Sequence, residues 1–168
     1  MPFGAKGVAN YFLERAGLAK GAIRHMKLQK LLYYAHGYHL AIVDEPLLNE
    51  PIQAWEFGPV VPSIYHEFKF FGNDPITEFA TEGHEDKDRF NQGKPIVPPP
   101  TDSDAVAIMD RVWEVYGSLQ DFQLSEMTHE DGSPWHSTKK EKGVAKGTNI
   151  DDELIREYFL KNELNVAS

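Results

Sequence analysis

Between residues 26 and 43 the chain reads MKLQKLLYYAHGYHLAIV, in which Leu28, Leu31, Leu32, Ala35, His39 and Ile42 recur every three or four positions. That spacing is the period of a buried helical face. Tyr33, Tyr34 and Tyr38 carry apolar surface further round the same cylinder. This helix is therefore expected to be packed on more than one side and to serve as the spine of the fold. Upstream, residues 7–17 set Val8, Tyr11, Phe12 and Arg15 at helical spacing, with Gly17 suited to a C-terminal cap.

The period changes after a turn-rich stretch over 44–51. Ile52-Gln53-Ala54-Trp55-Glu56-Phe57 alternates apolar and polar, which predicts a short half-buried strand ended by Gly58-Pro59. Val61-Pro62-Ser63 then opens a helix, because proline at the first helical position gives up no needed hydrogen bond. Ile64, Tyr65, Phe68 and Phe71 form its apolar stripe, and Gly72-Asn73 stops it. Residues 74–100 are the least regular, mixing the charged run GHEDKDR with IVPPP, and predict a surface strand or flap.

A strong helical period returns in DSDAVAIMDRVWEVYGSL, with Val106, Met109, Val112, Trp113, Tyr116 and Leu119 in phase. Thr101 or Asp102 can cap it, and Thr101 with Asp104 resembles a capping box. A short helical piece over 122–128, the turn EDGSP, a region around Trp135 and a polar linker KKEKGVAKGTN follow. The last helix is predicted over 150–161 with Leu154, Ile155, Tyr158 and Phe159 inward. The pattern predicts one mainly α domain of the α+β kind over residues 1–168, five or six helices with a small β element in the middle of the chain. Leu28, Leu31, Leu32 and Ile42 should be buried with Val112, Trp113 and Tyr116, and Trp113 should be the most protected tryptophan.

Composition narrows the functional classes. A chain of 168 residues can bury roughly two-thirds of its unfolded surface, enough for a core without covalent staples. It has no cysteine, which excludes disulfides, thiolate chemistry and iron–sulfur clusters and fits a reducing, cytoplasmic setting. No apolar run approaches the roughly 20 residues of a membrane span, and the N-terminal segment MPFGAKGVANYFLERA lacks the pattern of an export signal. With 26 acidic against 17 basic residues the net charge is −9. That balance disfavours nucleic acid, whose binding rests on clustered Lys and Arg, and suits a basic partner.

Chemistry-bearing constellations are sparse. His36 and His39 stand three apart on the spine helix, and His129 and His136 flank the DGSPW turn. A zinc site needs three or four converging ligands, and no HExxH or third ligand at a telling spacing occurs, so hydrogen-bonded packing is the simpler account. No GxSxG, GxGxxG or P-loop pattern is present. Ser125, Thr128 and His129 lie close in sequence, but capping and turn formation explain them. No catalytic residue, metal or cofactor is therefore assigned. What stands out is aromatic and apolar material in connecting segments, in WEFGPVVPSIY and THEDGSPWH. Trp55, Phe57 and Trp135 either lock turns onto the core or form a protein-binding surface, since Trp and Tyr dominate interface hot spots.

Three segments together carry a resemblance: MKLQKLLYYAHGYHLA, then PIQAWEFGPVVPSIYHEFKFFG, then LSEMTHEDGSPWH. They resemble the SocA-like antitoxin family, or Panacea domain, whose pattern falls here on Lys27, Gln29, Trp55, Gly58, Pro59, Thr128, His129, Pro134 and Trp135. The resemblance implies an antitoxin of a bacterial or prophage toxin–antitoxin system that neutralises its cognate toxin by direct binding. It also implies, from one founding member, delivery of the toxin to a ClpXP-type protease. Some relatives carry an additional DNA-binding domain, for which this chain has no room. Tyr65, His66 and Phe70 of the central segment are the expected partner-binding positions. The competing readings are a small histidine-dependent metal enzyme and a phage-regulatory factor associated with DNA.

Overall fold

The computed structural model describes residues 2–18, 23–83, 94–143, 145 and 147–164. Among these are seven α-helices, one 3-10 turn (Lys69–Phe71) and a small sheet: α1 (Ala5–Ala16), α2 (His25–Val43), β1 (Ile52–Trp55), β2 (Gly58–Val60), α3 (Pro62–Phe68), α4 (Ser103–Tyr116), α5 (Asp121–Thr128), α6 (Pro134–Lys142), β3 (Asn149–Ile150) and α7 (Asp152–Asn162). The fold is mainly α with a β element in mid-chain. The three strands are antiparallel in the order β2-β1-β3, with Gln53 opposite Val60 on one side and Asn149 on the other.

Helix α2 is the spine. Every residue from Lys27 to Leu40 is buried, because α1, α3, α4, α5 and α7 all pack against it. Its tyrosines build an aromatic cluster: Tyr34 stacks on Tyr116 at 4.2 Å, and Phe159 meets Tyr33, Tyr34 and Tyr38 edge-on. The Tyr38 and Tyr116 hydroxyls share a 2.6 Å hydrogen bond. Burial raises Tyr38 to about 12 and pushes Tyr33, Tyr34 and Tyr116 up as well. Gly37 is what lets α7 this close, since a Cβ there would lie 2.3–2.6 Å from three atoms of the Phe159 ring.

Several expectations need correction. Ile42 is 58% exposed, because the last turn of α2 stands at the mouth of an apolar cavity of about 440 Å³ walled by Tyr38, Ile108, Val112 and Leu164. Trp113 is only half-buried. The buried stripe of α4 runs through Ala105, Ile108, Met109, Val112 and Tyr116, and Trp113 stands at its edge with the Lys27 ammonium 6.0 Å from its ring centre. Trp135, 5% exposed, is the protected tryptophan. Gly58-Pro59 does not end the strand region but begins β2, so a tight hairpin replaces the single strand. The α4 cap is the Asp102 carboxylate, which accepts from the Ala105 N–H at 3.0 Å, rather than a Thr101–Asp104 box. The start of the anticipated polar linker is helical: Ser133 caps α6 through the His136 N–H, and Pro134 occupies its first turn.

The flap expected over 74–100 is described only at its two ends, and its middle, 84–93, lies outside the described residues. The ends pair at Thr81 and Ile96. Asn10 of α1 holds them by accepting from the Ala80 N–H and donating to the carbonyls of Ala80 and Val97. These three bonds at 2.7–3.0 Å fix an irregular segment that offers little core of its own.

Candidate functional site

The N-terminal half of α2 carries three polar side chains that an amphipathic helix would normally send to solvent, and the fold buries all three. The Gln29 amide brackets Val61, accepting its N–H at 2.7 Å and donating to its carbonyl at 3.3 Å. This fixes the residue that precedes α3, which has no side-chain cap of its own. Lys27 donates to the Gly117 carbonyl at the end of α4. Lys30 is 1% exposed, and its ammonium donates to the Phe57 carbonyl at 2.9 Å. Among the described residues no carboxylate pairs with it, and burial lowers it to about 8.

Lys30 thus stands beneath the turn between β1 and β2. Gly58 in that turn has φ +120°, and a Cβ would sit 2.5 Å from the Lys30 ammonium and 3.5 Å from the His129 ring. Glycine is required there twice over, for its backbone angle and for the space. Beside it, the Trp135 indole N–H donates to the Trp55 carbonyl at 2.6 Å. Both carbonyls flanking Glu56 are therefore held from below by donors on other elements, one from α2 and one from α6.

The late segment explains how Trp135 reaches this place. Thr128 closes α5 by donating to the Ser125 carbonyl, and the Ser133 hydroxyl donates to the Thr128 carbonyl. The tight connection sets the His129 ring edge-on against Trp135 at 4.1 Å. His129 Nδ1 donates to the Ser125 carbonyl at 2.6 Å, which leaves Nε2 as a buried nitrogen without a hydrogen-bond partner. Burial, then the Lys30 and Lys139 charges, lower its pKa against the opposing pull of the Ser125 carbonyl. The Ser125 hydroxyl lies 3.4 Å from the same Nδ1, but a nitrogen that donates its proton to a carbonyl is no acceptor for that hydroxyl.

His36 and His39 are committed to hydrogen bonds within the fold. His36 Nδ1 accepts the Leu48 N–H at 3.2 Å and Nε2 donates to Asp152 at 2.8 Å, tying α2 to the following loop and to α7. His39 Nδ1 donates to the Glu45 carbonyl at 2.6 Å. Their three-residue spacing sends them to different partners, and among the described residues no group of three or more His, Asp or Glu side chains could hold a metal ion. His25, which the sequence pattern did not single out, packs against Tyr65 at 5.2 Å. Burial, and secondarily the Lys30 charge, lower it to about 4.

Of the expected partner-binding positions, His66 is exposed and Phe70 is 48% exposed. Tyr65 is half-buried, its ring between His25 and Trp55, the latter at 4.9 Å. Phe57 is 67% exposed at the turn, so it is not a core anchor. The burial of Lys30 could have been read from spacing, since it falls on the helical row of Tyr34 and Gly37. Phe57 shares the outward parity of Gln53 and Trp55, but its place in a turn beyond the end of β1 shows only in the pairing of Trp55 with Gly58.

The three segments that hold this turn lie in or next to one matched region. A family model described as antitoxin SocA-like, Panacea domain matches residues 28–136, from α2 into α6. The chain belongs to the SocA-like antitoxin family. A curated relative, antitoxin SocA of Caulobacter vibrioides (strain NA1000 / CB15N), is 34% identical over 165 residues, covering 97% of this chain and 86% of that protein. No solved structure matches. The matched span takes in Gln29, Trp55, Gly58, Pro59, Thr128, His129, Pro134 and Trp135, and Lys27 precedes it by one residue. In this structure Gln29 fixes the start of α3, Trp135 pins the β1–β2 turn through the Trp55 carbonyl, and Lys27 holds the end of α4.

Proposed function

We propose that this protein neutralises a cognate toxin by direct protein–protein binding in the cytoplasm, without catalysing a reaction. The observation that carries the reading is membership of an antitoxin family along nearly the whole chain. The chemistry of the site supports it, because its buried nitrogens are committed to holding backbone or are enclosed. The toxin-facing surface is assigned to α3 and the 3-10 turn after it, through Tyr65, His66 and Phe70. The net charge of −9 favours a toxin with a basic surface, through steering of the encounter.

The test is coexpression with the product of the adjacent gene. That product alone should arrest growth, and this protein should restore it. Substituting His66 and Phe70 should weaken rescue while the fold survives, because both side chains are solvent-facing. A neighbouring product that is harmless when expressed alone would remove the reading.

A further inference from the structure

We infer that Phe57, at the tip of the β1–β2 hairpin, is an anchor residue for the toxin, and that the toxin receives it in an apolar pocket rimmed by basic groups. The inference rests on the antitoxin reading and names a surface and a partner chemistry for it. The first ground is exposure: at 67% Phe57 is more exposed than any other large hydrophobic side chain among the described residues. A phenyl ring left in water at a turn contributes nothing to the core, and aromatic anchors in matching pockets carry much of the binding energy at interfaces.

The second ground is rigidity. Both carbonyls that flank Glu56 in the two-residue turn are pinned from other elements, the Phe57 carbonyl by the Lys30 ammonium at 2.9 Å and the Trp55 carbonyl by the Trp135 indole at 2.6 Å. Holding the turn this way buries a lysine with no carboxylate partner among the described residues, a costly choice that an apolar side chain would avoid. Local rules broken at a cost in stability are expected where function requires a fixed geometry. A presented ring whose backbone is already ordered loses less entropy on binding.

The third ground is continuity and charge. Trp55, two residues before Phe57, packs its ring on Tyr65 of α3, so the hairpin tip and the α3 surface adjoin. The residue preceding Phe57 at the tip is the exposed Glu56, and the chain as a whole carries −9. A partner that closes over Phe57 brings its rim against a carboxylate, which a basic rim complements.

The experiment measures affinity between purified full-length protein and the adjacent gene's product by calorimetry or biosensor. Phe57→Ala should weaken binding by about thirtyfold or more, the change expected of a hot spot, with circular dichroism and melting temperature unchanged. Ile42→Ala removes an apolar side chain of similar exposure, 58%, some 12 residues and roughly 18 Å along α2 from Lys30, and should leave affinity within about threefold. Glu56→Lys should slow association, and the deficit should shrink as salt is raised. Phe57→Ala binding within threefold of the native protein would overturn the hairpin assignment while leaving the antitoxin reading intact. Loss of binding confined to His66 and Phe70 variants would overturn it too. A native protein that does not bind the product would overturn both.

Discussion

Replacing Lys30 with methionine should remove about 2 kcal/mol of stability that the native protein gains between pH 7 and pH 9.5. Folded, the lysine titrates at about 8 because burial penalises its charge; unfolded, it titrates near 10.5. Across that interval the unfolded chain binds more protons than the folded one, so stability rises with pH. At pH 7 both forms are charged and the burial penalty is fully present. Integrating over the two values gives about 2 kcal/mol of relief by pH 9.5. The four buried tyrosines of the aromatic cluster act oppositely, since they ionise more easily unfolded, but each contributes only roughly 0.2 kcal/mol at pH 9.5. They are present in both proteins and cancel in the difference, as does Lys27, also lowered by burial. Urea unfolding at pH 7, 8, 9 and 9.5 would measure both curves. The slope carries the test, because the variant at pH 7 trades a desolvated charge against the lost bond to Phe57. Native and variant curves that run parallel from pH 7 to 9.5 would refute the uncompensated burial of Lys30.

Three further outcomes follow from the packing. Leu31→Ala, at a position with 0% exposure, should cost about 2–5 kcal/mol in chemical denaturation, the range for an emptied core leucine. Gly37→Ala should lower the urea midpoint despite a helix-propensity gain of about 1 kcal/mol, since its Cβ would lie 2.3–2.6 Å from the Phe159 ring and overpacking of that kind costs about 1–3 kcal/mol. In variants retaining one tryptophan each, acrylamide should quench Trp135 least and Trp113 more, which fluorescence titration would check.

The helical part of the fold was legible because its signal is local. The period in residues 26–43 locates α2, and the continuous aromatic girth of that segment correctly anticipates a helix surrounded by others. Ile42 fits the same period and is nonetheless exposed, since periodicity says which face a residue occupies and not whether a neighbour extends far enough to cover it. Trp113 illustrates the same point at the edge of the α4 stripe. In sequence the hairpin resembles one strand because Gly58-Pro59 looks like a terminator; only the pairing of Trp55 with Gly58 reveals it as a return. Helix α6 is masked in sequence because Lys139, Lys140 and Lys142 give its last turn the composition of a linker, and its reason for being helical lies in the Ser133 cap and Pro134. The candidate site was legible as motif and opaque as geometry. Lys30, Gly58, His129 and Trp135 are spread over more than a hundred residues, and nothing in their spacing shows that they share one turn.

Direct association is the central claim, and titrating the purified chain with the purified product of its adjacent gene tests it most closely. A saturable, stoichiometric complex that coelutes on size exclusion and forms at concentrations matching growth rescue is the predicted result. Rescue of growth with two proteins that elute separately and release no heat on mixing would contradict it.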